Sequence, residues 1–212
     1  MRYDPGRDLG WLLLRPWVAI PRLVQVLWSL AGLVLVLLLR GGSNDPAVQQ
    51  GLARRILNTL TGLGPCFIKL GQALSTRPDL VRRDWLEELT RLQDDLPAFP
   101  HATALACIRE ELGAPAEELF EEFPDTPIAA ASLGQVYKAR LQGQHWVAVK
   151  VQRPNLTFIL RRDLVLIRAL GVMTAPLLPL NLGFGLGGIF DEFGRSLFEE
   201  IDYGLEAANA ER

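Results

Sequence analysis

The sequence predicts an α+β fold in which helices precede a small antiparallel sheet. An apolar run without charges occupies residues 23–39. Apolar residues then recur with helical spacing between residues 47 and 112, which predicts amphipathic helices. Alternating apolar and polar residues follow between 127 and 152, a pattern typical of strands. We therefore expect a membrane helix, a helical extension and a sheet of three or more strands.

Composition excludes several classes of protein. Of 212 residues, 49% are hydrophobic and 22% charged, so the chain can form a packed core. The net charge of -2 argues against a nucleic-acid partner, which would require a basic face. Two cysteines and two histidines are too few and too scattered for a disulfide framework or a metal site; these are Cys66, Cys107, His101 and His145.

Residues 1–44 are predicted to form a membrane-associated segment. The run 23–39 is close to the shortest length that spans a bilayer. It could cross the membrane, lie in the membrane interface or pack as a buried helix. Arginines flank it on both sides, at Arg15, Arg22 and Arg40, so charge does not predict its orientation.

Residues 45–125 are predicted to form a helical extension. Gly113 is a suitable residue to end one of its helices, because glycine tolerates the left-handed backbone conformation. The predicted helices cover residues 47–63, 66–74, 84–92 and 102–112, and a short helical piece covers 117–122.

Residues 126–212 are predicted to contain the sheet and two further helices. A strand, a loop of small residues and a second strand lie within 127–141. A hairpin turn leads to a third strand at 146–152, with its valines on one face and Lys150 on the other. The rest is predicted as a helix at 156–172, a loose Pro/Gly/Leu stretch, and one helix from about residue 189 that carries Phe193, Leu197, Ile201 and Leu205 on one face.

Lys150 is the first candidate functional residue. It ends the Val-Ala-Val-Lys motif of the third strand, and in protein kinases this strand holds the lysine that binds the α- and β-phosphates of the nucleotide. An exposed strand lysine without a ligand is the alternative. Small residues stand where kinases have their glycine-rich loop, and these are the candidate nucleotide-binding residues: Ala129, Ala130, Ala131, Ser132, Leu133, Gly134 and Gln135.

Two more clusters carry candidate catalytic side chains. Asp202 and Glu206 would share one face of a continuous helix, and Glu206 is a candidate ion-pair partner of Lys150. A solvated acidic face is the alternative. Lys69 and Gln72 lie three residues apart on one face of another helix, on either side of Gly71. Glycine destabilises a helix interior, so its presence there suggests that another backbone packs closely against the helix. An ordinary amphipathic helix is the alternative there.

Together these motifs resemble the UbiB/AarF family of atypical kinases, over residues 47–212 and in the same order. The matching motifs are Lys69-Leu70-Gly71-Gln72, the alanine-rich loop 129–135, the strand that ends Lys150-Val151-Gln152-Arg153-Pro154, and Glu200-Ile201-Asp202 followed by Glu206. The resemblance implies a protein-kinase-like small lobe. It also implies ATP or ADP with Mg²⁺ in the intact protein, and a role in isoprenoid-quinone metabolism at a membrane.

The resemblance further assigns roles and partners. It implies that Lys69 meets Glu200 and Asp202 over the nucleotide site. It implies ATPase or small-lipid kinase activity more than phosphorylation of proteins. The expected partners are a membrane lipid or quinone precursor and quinone-biosynthesis proteins. The kinase-like part is expected in the cytoplasm or an equivalent reducing compartment.

Several kinase elements have no match in the sequence. A catalytic-loop aspartate, its asparagine and a metal-binding Asp-Phe-Gly are not found, and residues 191–194, Asp-Glu-Phe-Gly, are predicted to be helical instead. The large lobe is therefore expected to be absent and the sequence to be the amino-terminal portion of a longer protein. A non-catalytic, membrane-tethered interaction module is the alternative function.

Overall fold

The computed structural model describes residues 3–79, 81–94, 96–143, 145–177 and 185–210. Within these ranges it confirms an α+β fold. The helices are α1 (Pro5–Leu13), α2 (Pro16–Arg40), α3 (Pro46–Leu63), α4 (Pro65–Ser75), α5 (Arg83–Asp94), α6 (His101–Leu112), α7 (Ala116–Leu119), α8 (Leu156–Thr174), α9 (Leu186–Glu200) and α10 (Tyr203–Ala210). The strands are β1 (Phe120–Glu122), β2 (Ala129–Ala130), β3 (Gly134–Leu141) and β4 (Trp146–Gln152).

The chain forms two compact units. One contains Met1–Trp28 and Thr157–Arg212, and the other contains Ser29–Leu156. We call them the terminal unit and the central unit. The division at residues 44 and 125 that composition suggests stays a prediction. Most of the predicted loose Pro/Gly/Leu stretch and the last two residues lie outside the described residues.

The terminal unit is built around a buried ion pair. Arg22 of α2 donates from Nε and Nη2 to the two carboxylate oxygens of Asp163 in α8, at 3.0 and 2.7 Å. Asp163 is fully buried and also accepts from Arg162 Nε at 2.8 Å. A bidentate pair with additional hydrogen bonds is the arrangement that makes buried charge tolerable. The same unit contains an apolar cluster, formed by Leu12, Val165 and Leu166 with Trp11, Val18, Ala19 and Leu23 packed against them.

A second polar contact joins the amino terminus to α9. Tyr3 donates its hydroxyl to Asp191, and Arg168 donates to both oxygens of the same carboxylate. Burial, with the Asp191 carboxylate beside it, holds the pKa of Tyr3 well above its usual range. The ring of Tyr3 lies so close to Gly194 that a Cβ there would meet three ring atoms within 2.8 Å. Residues 191–194 belong to α9 and are therefore helical, as predicted.

The predicted single helix after residue 189 is wrong. The structure has two helices, because α9 ends at Glu200 and α10 begins at Tyr203. Asp202 lies between them and accepts the backbone N–H of Leu205 at 3.1 Å. Aspartate favours this helix-capping position, and the capping bond stabilises a new helix start. Asp202 and Glu206 therefore do not belong to one continuous helical face, and Leu205 is 46% exposed.

In the central unit, α3, α4 and α5 pack closely around Gly71. A Cβ at this position would lie 2.5 Å from Cδ1 of Leu92 and 2.7 Å from Cδ1 of Leu60. The close neighbours are therefore leucine side chains of α5 and α3, and not the backbone that the sequence suggested. Glycine is needed because both leucines are buried and have little space to move.

Gln49 joins the start of α3 to its surroundings. Its buried amide donates to the backbone oxygens of Ser43 and Gly41, at 2.6 and 3.2 Å. Its oxygen accepts from the indole N–H of Trp85 at 2.9 Å. The Gly/Ser break after α2 is thereby held against α3 by a polar group whose burial is compensated by hydrogen bonds.

The sheet has β3 at its centre. β4 pairs along one edge of β3 in antiparallel register, from Gly134 opposite Gln152 to Arg140 opposite Trp146. The short strands β1 and β2 also pair with β3. The predicted helical piece 117–122 is correct only for its first half, because the chain becomes β1 at Phe120. Phe120 is buried in the core, and pairing with β3 places it there.

One face of the sheet is covered. Its core residues are Phe99, Ala104, Ile108, Ala116, Phe120, Tyr137, Ala139 and Val151. Val147 and Val149 pack on the same cluster, as their alternation predicts. Lys150 and Ala148 lie on the other, exposed face.

Helix α2 is long and apolar enough to cross a membrane, with 25 residues and a mean hydropathy of 2.2 over its most apolar window. It starts seven residues before the apolar run, at Pro16, and contains Pro21. Eleven per cent of that window is buried inside the protein.

Replacement of Gly71 by alanine is expected to destabilise the central unit. The new methyl group must displace two buried leucines, and overpacking costs about 1–3 kcal/mol, against a helix-propensity gain of about 1 kcal/mol. Gly51→Ala is the matched control, since nothing lies within 4 Å of a Cβ on Gly51 of α3. Thermal unfolding should show a lower midpoint for Gly71→Ala and an equal or higher one for Gly51→Ala. A higher midpoint in both would contradict this packing.

Removal of Asp163 should be far more harmful than removal of the whole ion pair. Asp163→Ala leaves Arg22 buried without its carboxylate, a change that costs about 3–5 kcal/mol. The double variant Arg22→Met with Asp163→Leu removes both charges and should recover most of this loss. Chemical denaturation of the three proteins measures the difference. Equal losses in the single and double variants would show that the pair contributes only packing.

Candidate nucleotide-binding site

The alanine-rich segment forms a tight hairpin between β2 and β3. The kinase pattern Gly-x-Gly-x-x-Gly-x-Val is here Ala-Ala-Ala-Ser-Leu-Gly-Gln-Val over residues 129–136. Ala129 and Ala130 belong to β2, and Gly134 and Gln135 belong to β3. The N–H of Ala131 donates to the oxygen of Gly134 at 2.8 Å, which leaves Ser132 and Leu133 at the tip.

Lys150 lies in a row of residues that crosses three strands. Val136 of β3 is opposite Lys150 on one side and opposite Ala129 on the other. Partners in an antiparallel register share one face of a sheet, so the three side chains lie on the exposed face, below the hairpin. A cation, an apolar side chain and a methyl group therefore line one surface beside a compact backbone turn.

Gln135 faces the opposite way. Its amide oxygen accepts the backbone N–H of Phe99 at 3.0 Å, and its amide nitrogen donates to the backbone oxygen of Phe99 and to the hydroxyl of Tyr137. The side chain is 1% exposed. It joins the hairpin to the linker before α6, so only the backbone of Gln135 borders the exposed face.

Arg153 is a structural partner of the hairpin to which the sequence assigned no role. Its backbone N–H donates to the oxygen of Leu133 at 2.9 Å. Its guanidinium donates to the oxygens of Pro97 and Ala131 and lies 5.4 Å from the ring of Phe99. Burial lowers the pKa of the guanidinium. In the sequence, the position of Arg153 directly after the strand with Lys150 could have indicated this structural role.

The Lys69–Gln72 motif lies in α4 of the central unit. Gln72 donates from Nε2 to the backbone oxygen of Leu92 at 2.6 Å. This bond satisfies a carbonyl in the last turn of α5, where helix carbonyls need partners. Lys69 is half-buried. The amide thus holds the motif helix on α5, next to the close packing at Gly71.

The acidic motif lies in the terminal unit. Glu200 is the last residue of α9, Asp202 caps α10, and Glu206 is exposed one turn into α10. Burial raises the pKa of Tyr203 to about 12, and the carboxylates of Glu206 and Glu200 act in the same direction. The structure therefore gathers the hairpin, Lys150, Lys69 and Gln72 in one unit and the three carboxylates in the other.

The described residues include no group of three or more His, Cys, Asp or Glu side chains suited to a metal ion. The candidate site itself combines the positive charge of Lys150 with the backbone of the hairpin close to it.

Comparison with known proteins identifies the family to which the chain belongs. A model of the ABC1 atypical kinase-like domain matches residues 91–212. The chain is similar to the uncharacterized protein slr1919 of Synechocystis, with 47% identity over 100% of this chain and 38% of that protein. It is also similar to the Arabidopsis thaliana protein named ACTIVITY OF BC1 COMPLEX KINASE 1, chloroplastic, with 48% identity over 79% of this chain and 25% of that protein.

A solved structure is also similar, that of Rv3197 with erythromycin from Mycobacterium tuberculosis. Its identity is 36% and its TM-score 0.42, over 66% of this chain and 35% of that chain. The chain thus spans well under two thirds of the length of the relatives it matches. The family domain covers more than half of the chain, and the chain therefore belongs to the ABC1 atypical kinase-like family, the ABC1/UbiB family that its motifs resemble.

Proposed function

We propose that this chain is the amino-terminal part of a UbiB-type atypical kinase or ATPase that binds ATP or ADP. The observation that carries the proposal is the row Ala129–Val136–Lys150 on the exposed sheet face, below the alanine-rich hairpin. In the intact protein this activity supports isoprenoid-quinone metabolism at a membrane. A membrane lipid or quinone precursor is the proposed substrate class, and quinone-biosynthesis proteins are the proposed partners.

The residues of the row have distinct roles in this proposal. The Lys150 ammonium binds oxygens of the α- and β-phosphates, which requires a cation held on a rigid strand. Val136 provides an apolar contact for the base. The small side chain of Ala129 leaves space for phosphate near the backbone, while its Cβ restricts the backbone more than glycine would.

In this proposal the residues of the row and the hairpin do not bind Mg²⁺ directly. The nucleotide phosphates bind Mg²⁺ directly in kinase sites, and a few protein oxygens complete its shell. In this proposal the protein ligands come from parts of the intact protein other than the described hairpin and strand. Lys150 and the hairpin then hold the phosphates to which the ion is bound.

Membrane association rests on α2. This helix is apolar, with Trp17 in its first turn and Arg40 as its last residue, side chains that favour the headgroup region. We propose that the kinase-like part lies on the cytoplasmic side of the membrane or in an equivalent reducing compartment. Cys66 and Cys107, both thiols, are compatible with such a compartment.

Replacement of Lys150 by alanine is expected to weaken ATP and ADP binding about 10- to 100-fold, because a hydrogen bond to a charged group contributes about 1.5–3 kcal/mol. Isothermal titration calorimetry on the 212-residue chain and on a longer protein with its large lobe measures the change. Lys138→Ala is the matched control. Lys138 lies on the same sheet face, two register pairs further along, above the ring of Trp146.

The proposal requires that Lys138→Ala binds like the wild type. Equal losses in both variants would indicate nonspecific charge attraction. If the longer protein binds neither nucleotide, the non-catalytic interaction module is the better description of the chain.

The proposed pairing of Lys69 with Glu200 and Asp202 predicts energetic coupling. In the longer protein, Lys69→Ala and Asp202→Ala should each change nucleotide affinity, and the double variant should change it by less than their sum. Contacting charges typically couple by about 0.5–3 kcal/mol. Arg83→Ala with Asp202→Ala provides the control cycle, with an exposed cation from α5. Additive effects of Lys69 and Asp202 would contradict the pairing.

A further inference from the structure

We propose that α2 lies along the membrane surface with one face in the lipid, and that it does not cross the bilayer. The inference rests on the membrane association in the proposed function and specifies its geometry. It follows from what each face of this one helix contacts.

One face of α2 is apolar and exposed. In the terminal unit this surface includes the end of α1, and its large residues are Leu13, Leu14, Trp17, Ile20, Val24 and Trp28. Trp17 is 71% and Trp28 82% exposed. In the rest of the helix, exposed apolar residues continue at spacings of three and four, which keep to one side of a helix.

The other face of α2 is occupied by the protein itself. Arg22 is 9% exposed in its bidentate pair with Asp163, and Val26 is fully buried. Leu33, in the central unit, is 8% exposed. Lipid therefore has access to a single side of the helix, whereas a helix that crosses a bilayer on its own is surrounded by lipid.

The ion pair also limits the length available for crossing. While residues up to Trp28 stay packed in the terminal unit, only Ser29–Arg40 remain. At 1.5 Å per residue this segment extends about 18 Å, and the hydrocarbon core is about 30 Å thick. Crossing by the whole apolar run would also require Val26, which is fully buried, to leave the protein contacts that cover it.

Lipid is the occupant that best fits the exposed face. No acidic residue occurs between Pro16 and Arg40. Trp17 and Trp28 have amphipathic rings that favour the membrane interface, and the exposed Arg40 can reach lipid phosphates. In-plane membrane helices combine an apolar face with a second face that avoids lipid. In α2 the protein covers that second face.

Spin labels can measure the depth of α2 directly. Single cysteines at Ile20, Leu27, Val34 and Leu38 share one side of the helix, in a background with Cys66→Ala and Cys107→Ala. The labelled proteins are bound to phosphatidylcholine–phosphatidylglycerol vesicles, and accessibility to oxygen and to a nickel chelate gives the depth of each label. A label at Leu112, 58% exposed on α6, is the control in water.

Equal, shallow depths at the four positions are expected. Greater depths at Leu27 and Val34 than at Ile20 and Leu38 would show a spanning helix and overturn this inference, while the proposed membrane association would stand. Labels that sense water only, or a second copy of the chain in sedimentation, would overturn both.

Vesicle flotation provides a second measurement with intact cysteines. Leu27→Asp and Val34→Asp each replace an apolar group on the proposed lipid face. Each should reduce the vesicle partition coefficient roughly tenfold or more, the size expected from loss of one buried leucine or valine contact. Leu112→Asp makes a comparable change elsewhere and should leave binding unchanged. Equal binding of all variants would contradict contact between α2 and lipid.

Discussion

The bidentate pair between Arg22 and Asp163 is the interaction on which the arrangement of the terminal unit depends. An arginine near the start of a very apolar helix must either reach water or find a buried anion. Here α8 supplies that anion at 2.7 Å, and α2 is thereby held against the protein. This contact determines which face of α2 stays exposed. One polar contact thus connects the packing of the terminal unit to the proposed mode of membrane binding.

A different constraint shapes the nucleotide-binding candidate. The alanine-rich hairpin is held by two polar side chains, the buried Gln135 and the half-buried Arg153, which both bind the linker before α6. Backbone atoms of Ala131 and Leu133 accept from Arg153. Alanine in place of glycine and these hydrogen bonds act in the same direction, since both limit the conformations of the turn. The backbone of this hairpin is therefore more restricted than that of a glycine-rich loop.

In the candidate site, residue patterns predicted the strand correctly but not the helix with the acidic motif. The strand with Lys150 is found at its predicted bounds. Its valines alternate with small or polar residues, and on a sheet with a single covered face only one orientation of the strand places the valines in the core. The acidic motif was harder to predict. Its spacing fits a continuous helix, but Asp202 makes a capping bond instead and begins α10. A local side-chain bond competed with helix periodicity and prevailed, and spacing alone does not reveal such competition.

The sequence by itself determined the α+β fold, most of the helices and strands and the resemblance to the family, because periodicity and motif spacing are local properties. It did not reveal that Gln135 faces the core, that Leu60 and Leu92 are the neighbours of Gly71, or that Arg22 of α2 pairs with Asp163. Only the tertiary structure decided these points. Each depends on contacts between residues far apart in the chain, such as Arg22 and Asp163. Local periodicity predicts helices and strands, but it does not predict which distant side chain a residue will contact.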